Sequence, residues 1–249
     1  MSALPGTTGR RRLYLMRHGF VDYTSKAVRE SEDPSRAVLT VSGREEARAA
    51  GVALREVHFD LALCSGLHRT RETAEIVLSE HPYDLTLEDE PRFTELQSGR
   101  YIDFESAEQL AATMTFQFEQ AGEPGATFLE GGEPFADAAV RIEAGVRSLL
   151  ARPGWHTALL VAHEGVNRLL LSWAIGAPLG ASAGFEQDTG CINIVDFDLV
   201  PNQVGDRVEI ERTVIKSVNL TPANYLKNGM NLRSLEAIFT RAREEQHEG

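Results

Sequence analysis

Cysteine is nearly absent: Cys64 and Cys191 are the only two in 249 residues. Two distant cysteines cannot build a disulfide framework, and neither sits in the paired spacing that holds zinc. Both are expected to be reduced and buried. Basic residues are also outnumbered, 25 Lys and Arg against 37 Asp and Glu, for a net charge of -12. Such a field repels polyanions, which argues against DNA, RNA and acidic membrane surfaces as partners. A small anion is not excluded, because a few converging arginines reverse the potential inside one pocket. No uninterrupted apolar run reaches the roughly 18 to 20 residues of a membrane span, and the stretch 159–175 is broken by His163, Glu164, Asn167 and Arg168. The first twelve residues hold Pro5, Gly6, Gly9 and Arg10 to Arg12 but no apolar segment of signal-peptide length. The start therefore reads as loose and without an export signal, and the protein as cytoplasmic. Internal repeats and low-complexity linkers are missing too, so a single domain is expected over residues 1–249.

What is present is one arrangement used three times. The apolar run Leu13-Tyr14-Leu15-Met16 reads as a buried strand and runs straight into Arg17-His18-Gly19. Leu61-Ala62-Leu63-Cys64 reads as a second strand, followed by the turn Ser65-Gly66-Leu67-His68-Arg69-Thr70 and a helix carrying Ala74, Ile76, Val77 and Leu78. A third strand, Thr157 to Val161, ends in Ala162-His163-Glu164-Gly165 and leads into a helix from Val166 to Ile175. Between these units, Phe20 to Val38 is a long polar segment suited to bordering a site. Thr40 or Ser42 can cap a helix from Gly43 to about Val57. Glu133 to Leu150 is a further helix, with Phe135, Val140, Ile142, Val146 and Leu149 as its apolar stripe.

Strands alternating with helices predict a three-layer α/β/α sandwich around a mostly parallel sheet. Ile192 to Phe197 and Val208 to Val218 alternate like an antiparallel hairpin added to that sheet. Residues 101–130, with Phe104, Phe116 and Phe118, break the alternation and suit a small helical cap over the pocket. The tail, about 231–246, reads as an amphipathic docking helix. It can dock on its own domain or on a partner subunit, which leaves a homodimer open.

In parallel strands the three junctions share one edge of the sheet, where open α/β folds keep their ligand crevices. Arg17 and His18, Arg69, and His163 would meet there beside two helix amino ends, forming an anion pocket able to satisfy a phosphoryl group. At that point the motifs resemble those of the histidine phosphatase superfamily, the phosphoglycerate mutase-like enzymes, in its larger branch. Leu15-Met16-Arg17-His18-Gly19 is similar to the nucleophile motif and Ser65 to Ala74 to the second arginine motif. Leu39-Thr40-Val41-Ser42-Gly43, Phe93-Thr94-Glu95-Leu96-Gln97-Ser98-Gly99, Gly132 to Asp137 and Val161-Ala162-His163-Glu164-Gly165 supply the remaining landmarks in family order.

The resemblance implies that His18 becomes phosphorylated, that Arg17, Arg69 and His163 hold the phosphoryl oxygens, and that Glu95 protonates the leaving alkoxide. It implies a metal-independent phosphatase acting on a small phosphorylated metabolite, with no cofactor. Such a Glu95 needs a raised pKa, His18 must be neutral, and a cationic His163 would stabilise the transferring group. Two positions depart from the family. Thr24 replaces an asparagine six residues after the nucleophile, and its hydroxyl can partly substitute as a phosphate contact. Glu164 replaces the glycine that usually follows the second histidine, and it is expected to point outward. Family mutases carry a longer insertion and a serine, tryptophan and asparagine run after the nucleophile, which this chain lacks. A phosphatase is thus favoured over a mutase, and both over a non-catalytic phosphate-binding scaffold. His58, His81, His156 and His247 belong to no motif and read as surface or core histidines, His68 as solvent-facing. Arg71, Glu72, Asp137 and Arg141 read as helix-surface charges.

Overall fold

The structure is a computed structural model that describes residues 9–23, 34–97, 99, 116–204, 208–222 and 225–227. Thr24, residues 101–115 of the expected cap and the expected carboxyl-terminal helix lie outside the described residues. Among the described residues six strands form one sheet: β1 Gly9–Arg17, β2 Leu61–Cys64, β3 Leu87–Asp89, β4 Thr157–Ala162, β5 Ile192–Pro201 and β6 Val208–Leu220. Their spatial order is β3-β2-β4-β1-β5-β6. The first four are mutually parallel, β5 runs antiparallel to β1, and β6 antiparallel to β5. The sheet is therefore mostly parallel with the expected hairpin on one side.

Period-two alternation divides the core into two faces. Leu13, Leu15, Leu160 and Ala162 pack with helices α3 (Phe135–Ala151) and α4 (Glu164–Ala174). Tyr14, Met16, Leu159 and Val161 pack on the other side with α1 (Val41–Leu54) and α2 (His68–Ser79). The result is the three-layer α/β/α architecture. Val140 is the one member of the expected α3 stripe that misses the core, being 69% exposed. Ala138, Ile142, Val146 and Leu149 keep the helical spacing, and Val140 falls on the opposite side.

Of the expected loose start, Gly9 and Arg10 to Arg12 belong to β1 instead, and residues 1–8 lie outside the described residues. Arg12 bonds Asp196 at 2.6 and 2.8 Å. Arg10 bonds Asp198 at 2.7 and 3.0 Å, and Arg212 joins Asp198 from β6 at 2.6 Å. These pairs sit across from one another in the β1–β5 and β5–β6 registers. They fix the register that the apolar alternation also requires. The arginines hold the Asp198 carboxyl down to about 2.

Thr40, not Ser42, caps α1, its Oγ1 accepting from Gly43 N at 3.1 Å. That places Gly43 against the chain just after β1. A Cβ on Gly43 would collide with the backbone of Phe20, and one on Gly19 with the carbonyl of Gly43. Both obstacles are main chain, so relief requires moving the loop that carries His18. Gly43→Ala is expected to destabilise the protein by roughly 1–3 kcal/mol or more, read as a lowered urea midpoint with unchanged slope. A wild-type midpoint would contradict this close approach.

Candidate active site

The parallel registers bring three strand ends together. Arg17 lies opposite Ala162, Cys64 opposite Val161, and Asp89 opposite Cys64. Arg17-His18, Ser65, His163 and the loop leading to Glu95 therefore leave the sheet along one edge.

His18 is 2% exposed and held from several sides. Its N–H donates to Ala162 O at 3.1 Å and its carbonyl accepts from Gly190 N at 3.1 Å. Gly19 N donates to Thr73 Oγ1 at 3.1 Å. The ring Nδ1 lies 2.8 Å from Gly19 O, and a carbonyl can only accept, so Nδ1 carries the proton. Nε2 is then the lone-pair nitrogen, and it accepts from Arg69 Nε at 3.3 Å. Burial first, then Arg69 and Arg17, push the His18 pKa well below the ordinary 6.5. A neutral imidazole with Nε2 available is the form required of a nitrogen nucleophile.

Arg69 reaches the site from the first turn of α2. Its Nη1 donates to Ser35 O at 3.4 Å, and its guanidinium lies 5.9 Å from the Tyr23 ring centroid. Both contacts come from the segment after β1, so that segment does border the site. Arg17 Nη1 donates to the Gln187 carbonyl at 2.5 Å. Arg17 Nη2 meets Glu164 Oε2 at 3.1 Å. The expectation that Glu164 points outward is thus overturned: Arg17 and Arg168 draw its carboxylate inward.

His163 precedes α4 and faces His18 edge-on, ring centroids 5.3 Å apart. A chain of hydroxyls settles its tautomer. Thr70 Oγ1 donates to Leu67 O at 2.8 Å, leaving it to accept from Ser65 Oγ at 2.9 Å. Ser65 Oγ in turn accepts from His163 Nε2 at 2.8 Å. Nε2 is the protonated nitrogen, and the buried Nδ1 has no partner among the described residues. Burial, Arg69, His18 and Arg17 lower its pKa well below 6.5 as well. One neutral and one cationic ring were expected; both are pushed toward neutral, with opposite tautomers.

Glu95 follows a 3-10 turn, Pro91–Phe93, anchored by the buried Phe93. Arg141 clamps this loop, Nη1 donating to Arg92 O at 2.6 Å and Thr94 O at 3.0 Å while Glu133 holds its other edge. Arg141 is thus a positioning residue and not a free helix-surface charge. Glu95 Oε1 accepts from Leu96 N at 3.0 Å and Oε2 from Gly165 N at 3.4 Å. Loss of hydration raises its pKa, against the pull of Arg69 and Arg17. Gly165 is what allows the approach, since a Cβ there would stand 2.8 Å from Glu95 Oε1.

Five of the six expected site residues, Arg17, His18, Arg69, Glu95 and His163, thus converge on one sheet edge; Thr24 lies outside the described residues. No cluster of His, Cys, Asp and Glu fit to hold a metal occurs among the described residues. No described helix is long and apolar enough to cross a membrane. Cys64 and Cys191 are buried and free, and burial pushes the Cys191 thiol up to about 12.

Fold and site together define an α/β enzyme with a histidine-centred anion pocket. Residues 13–204 match the histidine phosphatase superfamily (branch 1), and the chain belongs to that family. The adenosylcobalamin/alpha-ribazole phosphatase of Escherichia coli (strain K12) is 31% identical over 192 residues, 75% of this chain and 90% of that protein. A protein of Enterobacter sp. (strain 638) named "Probable phosphoglycerate mutase GpmB" is 27% identical, over 76% of this chain and 86% of its own. The crystal structure of the alpha-ribazole phosphatase from Shigella flexneri superposes with a TM-score of 0.62 at 26% identity, covering 84% of this chain and 96% of that one.

The two depressed imidazoles have a consequence for stability. In the unfolded chain they protonate near 6.5 and in the fold only well below it. Acidification below about 6.5 therefore favours unfolding, by at most about 1.4 kcal/mol per pH unit for each ring. Glu95 acts oppositely: its raised pKa keeps a proton that the unfolded chain releases above the ordinary 4.5. Between pH 6.5 and 5 the rings outnumber it, so wild-type stability is expected to fall. His163→Gln should show a shallower fall in urea titrations at stepped pH, and an identical pH slope would contradict two neutral rings.

Proposed function

We propose that the protein hydrolyses small phosphomonoesters through a phosphohistidine on His18, with Glu95 as the proton donor. The observation that carries this reading is the His18 tautomer, with Nδ1 bonded to Gly19 O and Nε2 left as the lone-pair nitrogen beside Arg69. In the first step the Nε2 lone pair attacks phosphorus and the bond from phosphorus to the ester oxygen breaks. Glu95 gives its proton to that oxygen, so an alcohol departs instead of an alkoxide. In the second step the Glu95 carboxylate takes a proton from water, whose oxygen attacks phosphorus. The bonding pair of the phosphorus–nitrogen bond returns to Nε2, and inorganic phosphate leaves.

Arg17, Arg69 and His163 would hold the non-bridging oxygens, with the Thr24 hydroxyl as a further contact. The guanidiniums and Gly165 N–H at the start of α4 supply the positive potential that phosphoryl transfer requires. A dianion in the pocket would also restore basicity to His163, placing a second proton on Nδ1 and aiming it at a phosphoryl oxygen. The names of the relatives favour an organic phosphate of metabolite size. Inorganic phosphate release should accordingly be screened with alpha-ribazole phosphate, other nucleoside monophosphates, sugar phosphates and phosphoglycerates.

Two variants test the roles. His18→Asn is expected to abolish hydrolysis. Glu95→Gln is expected to lower kcat/KM for an alkyl phosphate about 10²- to 10⁴-fold, but far less for p-nitrophenyl phosphate, whose leaving group needs no proton. Equal losses on both substrates would remove Glu95 from the proton-donor role.

A further inference from the structure

A carboxylate beside a phosphate pocket opposes its ligand, and Glu164 is such a carboxylate. It is the first residue of α4, where the helix dipole favours an anion. Its side chain is nonetheless only 7% exposed and both oxygens are engaged within the protein. Oε2 lies 3.1 Å from Arg17 Nη2. Oε1 accepts from Arg168 Nε at 3.0 Å and Nη2 at 2.9 Å, one turn along the same helix. Arg168 is itself fixed by Ser182 O at 3.4 Å, Ala183 O at 3.3 Å and Glu186 at 3.5 Å. Its guanidinium lies 4.9 Å from the Phe118 ring centroid.

Buried ion clusters carry a desolvation penalty that apolar packing avoids, so stability alone gives little reason for this one. Its effect on the pocket is direct. Arg17, Arg69 and Arg168 against Glu164 and Glu186 leave one positive charge for an anionic phosphoryl group; without Glu164 the same shell would hold two. The carboxylate also occupies Nη2 of Arg17, a guanidinium proposed to hold the phosphate.

Resting on the phosphate-binding reading above, we infer that Glu164 is an internal counter-ion that competes with bound phosphate for Arg17 and so limits how tightly product phosphate is retained. Arg168 is its positioning partner, drawing one carboxylate oxygen away from Arg17. The two residues should therefore act in opposite directions. Removing the charge of Glu164 frees Arg17 for phosphate, whereas removing Arg168 leaves Glu164 to concentrate on Arg17. A merely structural role would make both changes harmful in the same sense.

Calorimetric titration of the full chain with inorganic phosphate at fixed ionic strength separates these cases without relying on turnover. Glu164→Gln is expected to lower the phosphate Kd roughly tenfold, and Arg168→Met to raise it several-fold. The pH profile supplies a second readout. The charged groups around Glu95 are Arg69, Arg17 and Glu164, and Glu164 favours its protonated form. Glu164→Gln should thus move the alkaline limb of kcat/KM for an alkyl phosphate to lower pH. Phosphate binding weakened in both variants, or unchanged in both, overturns the inference. Should either variant fail to fold, the sign of the other decides. If the wild type hydrolyses phosphomonoesters and binds phosphate but the variants do not diverge, only this inference fails. If the wild type does not bind phosphate at millimolar concentration, the reading of the pocket fails with it.

Discussion

The hydrogen bond from His18 Nδ1 to Gly19 O, 2.8 Å long, decides which ring nitrogen keeps a lone pair. Much of the fold serves to hold that carbonyl in place. Gly19 N donates to Thr73 Oγ1, and Thr73 donates onward at 2.7 Å to the carbonyl of Arg69 in the same helix. The lone-pair nitrogen of His18 and the arginine beside it are thereby tied to one turn of α2. On the other side, Gly43 at the start of α1 packs directly on Gly19 and Phe20. The parallel β1–β4 register fixes the starting point of the loop by placing Arg17 opposite Ala162.

Charge organises the rest. Two imidazoles sit near guanidiniums in a water-poor edge of the sheet, and both lose basicity for that reason. The same loss of hydration moves Glu95 the other way, so its carboxyl group keeps its proton to higher pH than an exposed one while the two imidazoles are held neutral. These are the directions of shift that attack by nitrogen and protonation of a leaving oxygen call for. Neutral imidazoles also leave the arginines as the main source of positive potential in the site. Glu164 trims that potential, and Arg141 keeps Glu95 within its reach by clamping Arg92 and Thr94.

The parts legible in the sequence were those encoded by local periodicity. Leu13 to Met16, Leu61 to Cys64 and Thr157 to Val161 read as strands because short apolar runs end in turns, and their shared edge follows from parallel pairing. Arg17, His18, Arg69 and His163 were legible for the same reason, as basic residues at strand ends. Glu95 needed the family resemblance, since nothing local distinguishes it from the other carboxylates of an acidic chain. What escaped depends on distant partners. Arg10 and Arg12 extend β1 because Asp198 and Asp196, 188 and 184 residues away, lie across from them. Arg141 acts on main-chain carbonyls, which leave no mark in a sequence. The inward turn of Glu164 had one available sign, Arg168 four residues on, but that pair is equally common on exposed helices.

Nε2 of His18 is the atom proposed to carry the phosphoryl group. Rapid alkaline quenching of the wild type during turnover, followed by ³¹P and ¹⁵N NMR of the isolated phosphopeptide, tests it directly. The account predicts an acid-labile phosphoryl group on Nε2 of His18. A phosphoryl group on Nδ1 or on another residue, or none while hydrolysis proceeds, would contradict it.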